Sequence, residues 1–332
     1  MRTFWAPGRV NLIGEYTDLV GGLVLPVALD LGVRVECEAS AQTSLVSDAV
    51  PAESGWERYV SAVEAELAAL GRPAVGIAGT VHANLPIGAG LSSSAALEVA
   101  VGTALCAVAE FTLEPLDLAR ALQRAERTAV GVPSGIMDQA ASLLGRAGHA
   151  LLLDTGTLEH EQVPLPPRLA LLVVESGVSR QLETSAYADR RRELEARHPA
   201  RVRHVETENE RVREVVAILR EPGQPRLGEL GRLFAEGHAS LRDDFEVTIR
   251  ELDTLVELAS GAGAVAARMT GGGFGGSIVA LVDEQRADEI AQRVLSGYRQ
   301  RFGDMGAAHV CVASDGAREI LGSPQSDAGA RL

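Results

Sequence analysis

The chain has 332 residues, 46% of them hydrophobic, with a formal net charge of −14 and a pI of about 5.0; it can bury a large core as two lobes, and it repels nucleic acid and anionic membrane surfaces. All 31 basic residues are arginine, which excludes a Gly-Lys-Ser/Thr P-loop, the strand lysine of protein kinases and lysine Schiff-base chemistry. Cys37, Cys106 and Cys311 are odd in number and far apart, which argues against a disulfide framework or zinc ribbon and for a reducing, cytosolic compartment.

The first residues read as too short and too polar for a signal peptide, and no apolar run approaches the roughly 20 residues that span a bilayer. Residues 6–27 pack Arg9, Asn11, Glu15 and Asp18 among glycine and aliphatic residues, too densely for an ordinary solvated loop. Arg9 and Glu15 lie about 20 Å apart if extended, so a bend would be needed to pair them across a turn, which is the plainer reading. Glu15 and Asp18 could instead accept several hydroxyls of a polyol. Strand-like segments follow over 28–49, clearest at 33–37. Trp56 opens an amphipathic helix with Val60, Val63, Leu67 and Leu70 at helical spacing. Trp56 and Tyr59 share its first turn, and spacing alone makes them core.

An alternating strand at 77–81 leads into Leu85-Pro86-Ile87-Gly88-Ala89-Gly90-Leu91-Ser92-Ser93-Ser94-Ala95-Ala96 and then a helical apolar run. This order places three serines at a helix N-terminus, where their oxygens would cap free N–H groups. The helix dipole and unpaired donors there suit phosphate, and Gly88 and Gly90 allow close backbone approach. Pro115 starts a helix to about residue 128. A turn containing Gly131, Pro133 and Gly135 then sets Asp138 near the start of a short helix, as a dipole-stabilised acid or as a general base.

Residues 150–153 form a buried strand, and 164–167 make the best linker. Strand structure restarts at 169–174. The Arg- and Glu-rich stretch 179–219 is helical, with most of its charges on solvated faces. A helix through Phe234 and His238 follows, and residues 241–245 cap another running to about 258. Thr270-Gly271-Gly272-Gly273-Phe274-Gly275-Gly276 sits between strand-like runs. That glycine density exceeds one hairpin turn and fits a loop lying against phosphates or the first lobe's helix N-terminus. His149, His160 and His198 lack metal-ligand spacing.

Taken together and in order, the 9–26, 86–96 and 270–276 segments resemble the three motifs of the GHMP (galactokinase/homoserine kinase/mevalonate kinase) superfamily. Gly135-Ile136-Met137-Asp138-Gln139 and the 238–247 segment are similar to the galactokinase family in particular. The resemblance spans residues 5 to about 314. It implies a two-lobed α/β (α+β) fold with a mixed N-terminal sheet, a mainly antiparallel C-terminal sheet and an active site between the lobes. The lobes would cover 1–165 and 166–320, with a disordered tail at 321–332. It implies ATP-dependent phosphorylation of α-D-galactose at C1 by a monomer that needs Mg²⁺, with small-molecule partners only.

By the same resemblance Asp138 is the catalytic aspartate, and Arg9 is the arginine beside it that stabilises the transferred phosphoryl group. Glu126 with Ser94 matches the Mg²⁺ site. Glu15, Tyr16, Asp18, Gly135 and Tyr187 match sugar contacts. ATP would meet Pro86, Gly88, Ala89, Gly90, Leu91, Ser92, Ser93, Ser94 and Ala95, with Gly272 and Gly273 from the third motif. Trp56 and Tyr59 match aromatics near the adenine. The chain departs from the family's usual Gly-Glu-His-Thr-Asp-Tyr at Tyr16 and Leu19. The absent histidine serves the hydroxymethyl end of galactose in similar enzymes, so a kinase of another sugar is the alternative. A non-catalytic sugar sensor would instead show damage at Asp138, Arg9 or the serine motif, and none is visible.

Overall fold

The computed structural model describes residues 1–48, 55–131, 134–178, 183–221 and 226–321, with 183–185 described by backbone only. Of the positions named above, 49, Pro133, 179–182 and the tail from 322 lie outside the described residues.

The first lobe is built on a five-stranded sheet in the order β12-β1-β3-β5-β4. Its strands are β1 (Arg2–Asn11), β3 (Pro26–Ser40), β4 (Ser44–Ser47), β5 (Gly76–Ala83) and β12 (Arg318–Ile320). Only the β4–β5 pair is parallel. Alternating Val33, Val35 and Cys37 turn inward from β3, as a sheet with one face on the core requires. Helices α1 (Glu57–Ala69), α2 (Ser93–Val108), α3 (Pro115–Val130) and α4 (Met137–Leu144) cover it. Helix α2 is apolar around almost its whole circumference and buried along its length, because it lies between β1 and β3 on one side and α1 and α3 on the other. One charged side chain, Glu98, is carried into that interior.

A small antiparallel sheet, β2 (Leu23–Val24), β6 (His149–Asp154) and β7 (His160–Pro164), adjoins this lobe. The second lobe is an antiparallel sheet in the order β11-β8-β10-β9. It comprises β8 (Leu169–Glu175), β9 (Ala266–Thr270), β10 (Ser277–Asp283) and β11 (Ala307–Cys311). Helices α7 (Leu227–Asp243), α8 (Arg250–Ala262) and α9 (Ala287–Phe302) pack on it. Helix α5 (Glu183–Glu195) leads to α6 (Pro199–Leu219), which touches α7 as well as β2 and β7 and so joins the lobes. Strand β12 leaves the second lobe and pairs with β1, Thr3 opposite Ile320.

One sequence expectation is corrected and another is refined. Residues 241–243 form the last turn of α7 rather than the cap of α8, which starts after Ile249. The amides of Phe245 and Val247 close that turn on Ser240 and Leu241, and Phe245 is fully buried. The charges of α6 are not all solvated: Arg201, His204, Glu208 and Arg211 form one buried polar stripe at helical spacing.

Candidate active site

Arg9 stands near the end of β1, 5% exposed. Its Nε and Nη2 donate to Oδ1 and Oδ2 of Asp138 at 2.8 and 2.9 Å, and its Nη1 donates to the Gly90 carbonyl at 2.7 Å. The planar fork thus grips both carboxylate oxygens, the strongest geometry available to such a pair. Its partner is Asp138, on the first turn of α4, and not Glu15. The Ser92 hydroxyl also donates to Asp138 Oδ2. Ser92 therefore does not cap α2 as the serine run suggests; it sits at φ 59° with its side chain turned to the aspartate. Asp138 keeps 25% of its side chain exposed, against 7% for Arg9, so the held carboxylate opens onto solvent space.

Beside it, Ser94 Oγ donates to Glu126 Oε1 at 3.0 Å. The other oxygen of Glu126 accepts from Ser134 Oγ at 2.7 Å and Gln139 Nε2 at 3.1 Å. Gln139 Nε2 reaches Glu98 Oε2 as well, at 3.1 Å. Burial first, then the nearby Glu126 charge, pushes the Glu98 carboxyl up to about 9. Among the described residues no three His, Cys, Asp or Glu side chains gather as a metal cage. One hydroxyl and one carboxylate do fit Mg²⁺, which keeps most of its octahedron for water and phosphate oxygens.

A cavity of about 270 Å³ opens next to Asp138, lined by Arg9, Glu15, Tyr16, Asp18, Glu126, Ser134, Gly135, Tyr187, Gly271 and Gly272 among others. All five residues that the resemblance assigns to the sugar line this one cavity. Burial, then the Asp138 charge, raises Asp18 to about 6, with Arg9 opposing. Gly135 leaves room for Asp18: a Cβ there would lie 1.8 Å from Asp18 Oδ2 and would displace that carboxylate. The Tyr16 ring lies 4.3 Å from Phe245 and 5.6 Å from Tyr187, centroid to centroid. Its hydroxyl donates to the Gly272 carbonyl at 2.5 Å, so it ties the signature loop to the glycine-rich loop. Burial also pushes the Tyr187 phenol up.

The two phosphate-loop candidates meet. Ser277 Oγ donates to the Ala89 carbonyl at 2.6 Å, and the Arg9 amide donates to the Leu91 carbonyl at 3.0 Å. With Gly90 taken by the Arg9 side chain, three consecutive carbonyls are satisfied by protein. Ala89, Leu91 and Ala95 turn their side chains into the core, whereas Ser92, Ser93 and Ser94 are half-buried and Gly88 is exposed. Gly273 has φ +72°, and a Cβ there would fall 2.2 Å from the Val247 carbonyl. Trp56 is 7% exposed within the first lobe's core, Tyr59 packs against that core under Arg58, and neither lines the cavity. That placement agrees with their helical spacing.

The models for the N-terminal and C-terminal domains of GHMP kinases match residues 58–146 and 215–300, and the galactokinase galactose-binding signature matches residues 2–39. Lactococcus lactis galactokinase, solved with galactose, is 30% identical over 96% of this chain and 95% of its own, with a TM-score of 0.89. The chain belongs to the galactokinases of the GHMP kinase family. Methanococcus jannaschii mevalonate kinase (18% identity, 95% and 98% covered, TM-score 0.72) and Cytophaga hutchinsonii homoserine kinase (20%, 96% and 97%, TM-score 0.65) share the fold.

Several site residues escaped sequence reasoning. Arg268 donates from Nη2 to Glu15 Oε2 at 2.8 Å and to Glu208 Oε1 at 2.6 Å. An arginine inside the otherwise apolar strand before the glycine loop was the available signal. For Glu208 and His204 the signal was the helical spacing of the α6 stripe, and for Glu98 a lone charge in an apolar helix.

Proposed function

We propose that this galactokinase transfers the γ-phosphoryl group of ATP to the C1 hydroxyl of α-D-galactose, with Asp138 and Arg9 at the chemical step. The observation that carries the assignment is the Asp138 carboxylate, held on both oxygens by Arg9 yet open to a cavity walled by hydroxyl acceptors. The sugar lies against Glu15, Asp18 and the Gly135 backbone, with Tyr187 across the cavity. Carboxylates accept several hydroxyls each, which suits a polyol. The C1 oxygen forms a bond to the γ-phosphorus as the bond to the β,γ-bridging oxygen breaks, ADP departs, and the hydroxyl proton passes to Asp138. Arg9 stabilises the equatorial charge that develops on the phosphoryl group, the kind of preorganised contact that contributes most to such reactions. Backbone groups of Gly88 to Ser94 and of Gly272 and Gly273 receive the phosphates. Ser94 and Glu126 would hold Mg²⁺, which offsets phosphate charge when bound.

The test is the product formed from ATP across a panel of galactose, 2-deoxygalactose, 6-deoxygalactose, L-arabinose and glucose, with phosphorus NMR locating the phosphate. Galactose 1-phosphate as the best product is expected. Preferred turnover of 6-deoxygalactose or arabinose would overturn the sugar assignment, and phosphate on another hydroxyl would overturn the placement of Asp138.

A further inference from the structure

Glu15 is 2% exposed, and among the described residues its one side-chain partner is a single nitrogen of Arg268. The same nitrogen serves Glu208, at the shorter distance of 2.6 Å. Arg268 is fully buried, and among the described residues its Nε and Nη1 and the buried Glu15 Oε1 have no hydrogen-bond partner. Glu208 is far better supplied. It accepts from Arg268, from Arg211 Nε at 2.8 Å and from the Gly14 amide at 2.9 Å. Four residues earlier on the same face of α6, His204 holds the Glu15 carbonyl through Nε2 at 3.1 Å. The loop bearing Glu15 is therefore gripped by α6, while its carboxylate, which the backbone amides of Gly271 and Glu15 also serve, shares its one side-chain donor with Glu208.

We propose that Glu208 is a positioning residue for sugar recognition, one that sets the charge available at Glu15 by taking a share of Arg268. The inference rests on the reading that Glu15 accepts a sugar hydroxyl. The consequence of unequal supply is visible in both carboxyls. Burial raises Glu15 to about 7, with Arg268 only partly opposing it and Glu208 adding to it. Glu208, equally buried, is drawn down to about 2 by Arg268, His204, Arg211 and the Gly14 amide. The charged or titratable groups facing Glu15 are Arg268 from β9 and Glu208 and His204 from α6, with Arg211 behind them. Arg9, Asp18, Asp138 and the phenols of Tyr16 and Tyr187 share its cavity. Protonation of Glu15 removes an acceptor from the sugar, so the acid limb of kcat/KM for galactose falls near pH 7 in the native protein.

In E208Q, Arg268 belongs to Glu15 alone and the repulsive charge is gone. The limb should move down from about 7 toward the value of about 6 held by Asp18. The ratio of kcat/KM at pH 6 to that at pH 8 should rise about fivefold, since one pKa unit is a tenfold change in protonation. In the double variant R268M/E208Q, Glu15 loses its cation, the larger of the two influences, and the limb should move up. A merely structural role would depress activity at both pH values and leave the ratio unchanged. An unchanged ratio in both variants, or a native profile flat between pH 5 and 8, would overturn the proposal. If E208Q does not fold, the upward shift in the charge-balanced double variant still decides it. Native enzyme that phosphorylates no galactose at any pH would overturn the underlying reading instead.

Discussion

The two ends of the cavity are built differently. At the reacting end, Arg9, Ser92 and Asp138 come from one lobe, each polar group is paired, and the carboxylate remains partly open. At the far end, Glu15, Arg268 and Glu208 come from three elements across both lobes, are sealed from solvent and leave several polar atoms without partners. A fully paired, half-open carboxylate can accept a proton without rebuilding its surroundings, which is what chemistry by positioning requires. A buried, under-supplied cluster is costly in isolation, because unsatisfied groups lose their hydration without replacement. A ligand hydroxyl brought to Glu15 Oε1 would supply the missing partner. That end is therefore suited to selecting a ligand, and the reacting end to transforming it.

Substitutions should separate these roles. Asp138→Asn removes the proton acceptor but keeps the shape, and should cut kcat by about 10³-fold with galactose binding nearly retained. Arg9→Met should lower kcat by about 10²-fold or more, exceeding its effect on the galactose KM in steady-state assays. Gly135→Ala should act on recognition: its methyl would displace the Asp18 carboxylate, raising the galactose KM about tenfold at unchanged ATP KM.

Acidification should act at the recognition end too. With Glu15 at about 7 and Asp18 at about 6, both above ordinary carboxyls, kcat/KM for galactose should fall about tenfold or more between pH 8 and pH 6. A pH series at saturating ATP checks this. The smallest effect concerns Glu98, outside both ends. Its folded value of about 9 lies above the unfolded one, so the native state retains a proton that the unfolded state has released. Its contribution to stability is complete below the unfolded value and is lost as pH rises through the folded one. Glu98→Gln should remove that loss, gaining roughly 2–3 kcal/mol relative to native protein between pH 6 and pH 8 in thermal melts.

The same contrast governs what could be read from sequence. Arg9, Asp138, Asp18 and Gly135 lie in dense polar or glycine-rich motifs whose local order signals a site, and the fold's alternation of helix and strand periods is plain. Glu208 and His204 were hidden because a charged residue on a buried helix face has the same letters as one on a solvated face; only the partner across space, Arg268, distinguishes them. Ser92 misled for a related reason. A serine before an apolar run satisfies the rule for a helix cap, but tertiary pairing with Asp138 took its hydroxyl.

The most direct measurement sets kcat beside the galactose dissociation constant, from calorimetry, for Asp138→Asn and Glu15→Gln. Division of labour predicts that Asp138→Asn loses turnover while still binding galactose. Glu15→Gln should bind galactose about tenfold more weakly yet turn over at a similar rate when saturated. Near-normal turnover in Asp138→Asn, or parallel losses of both quantities in both variants, would contradict it.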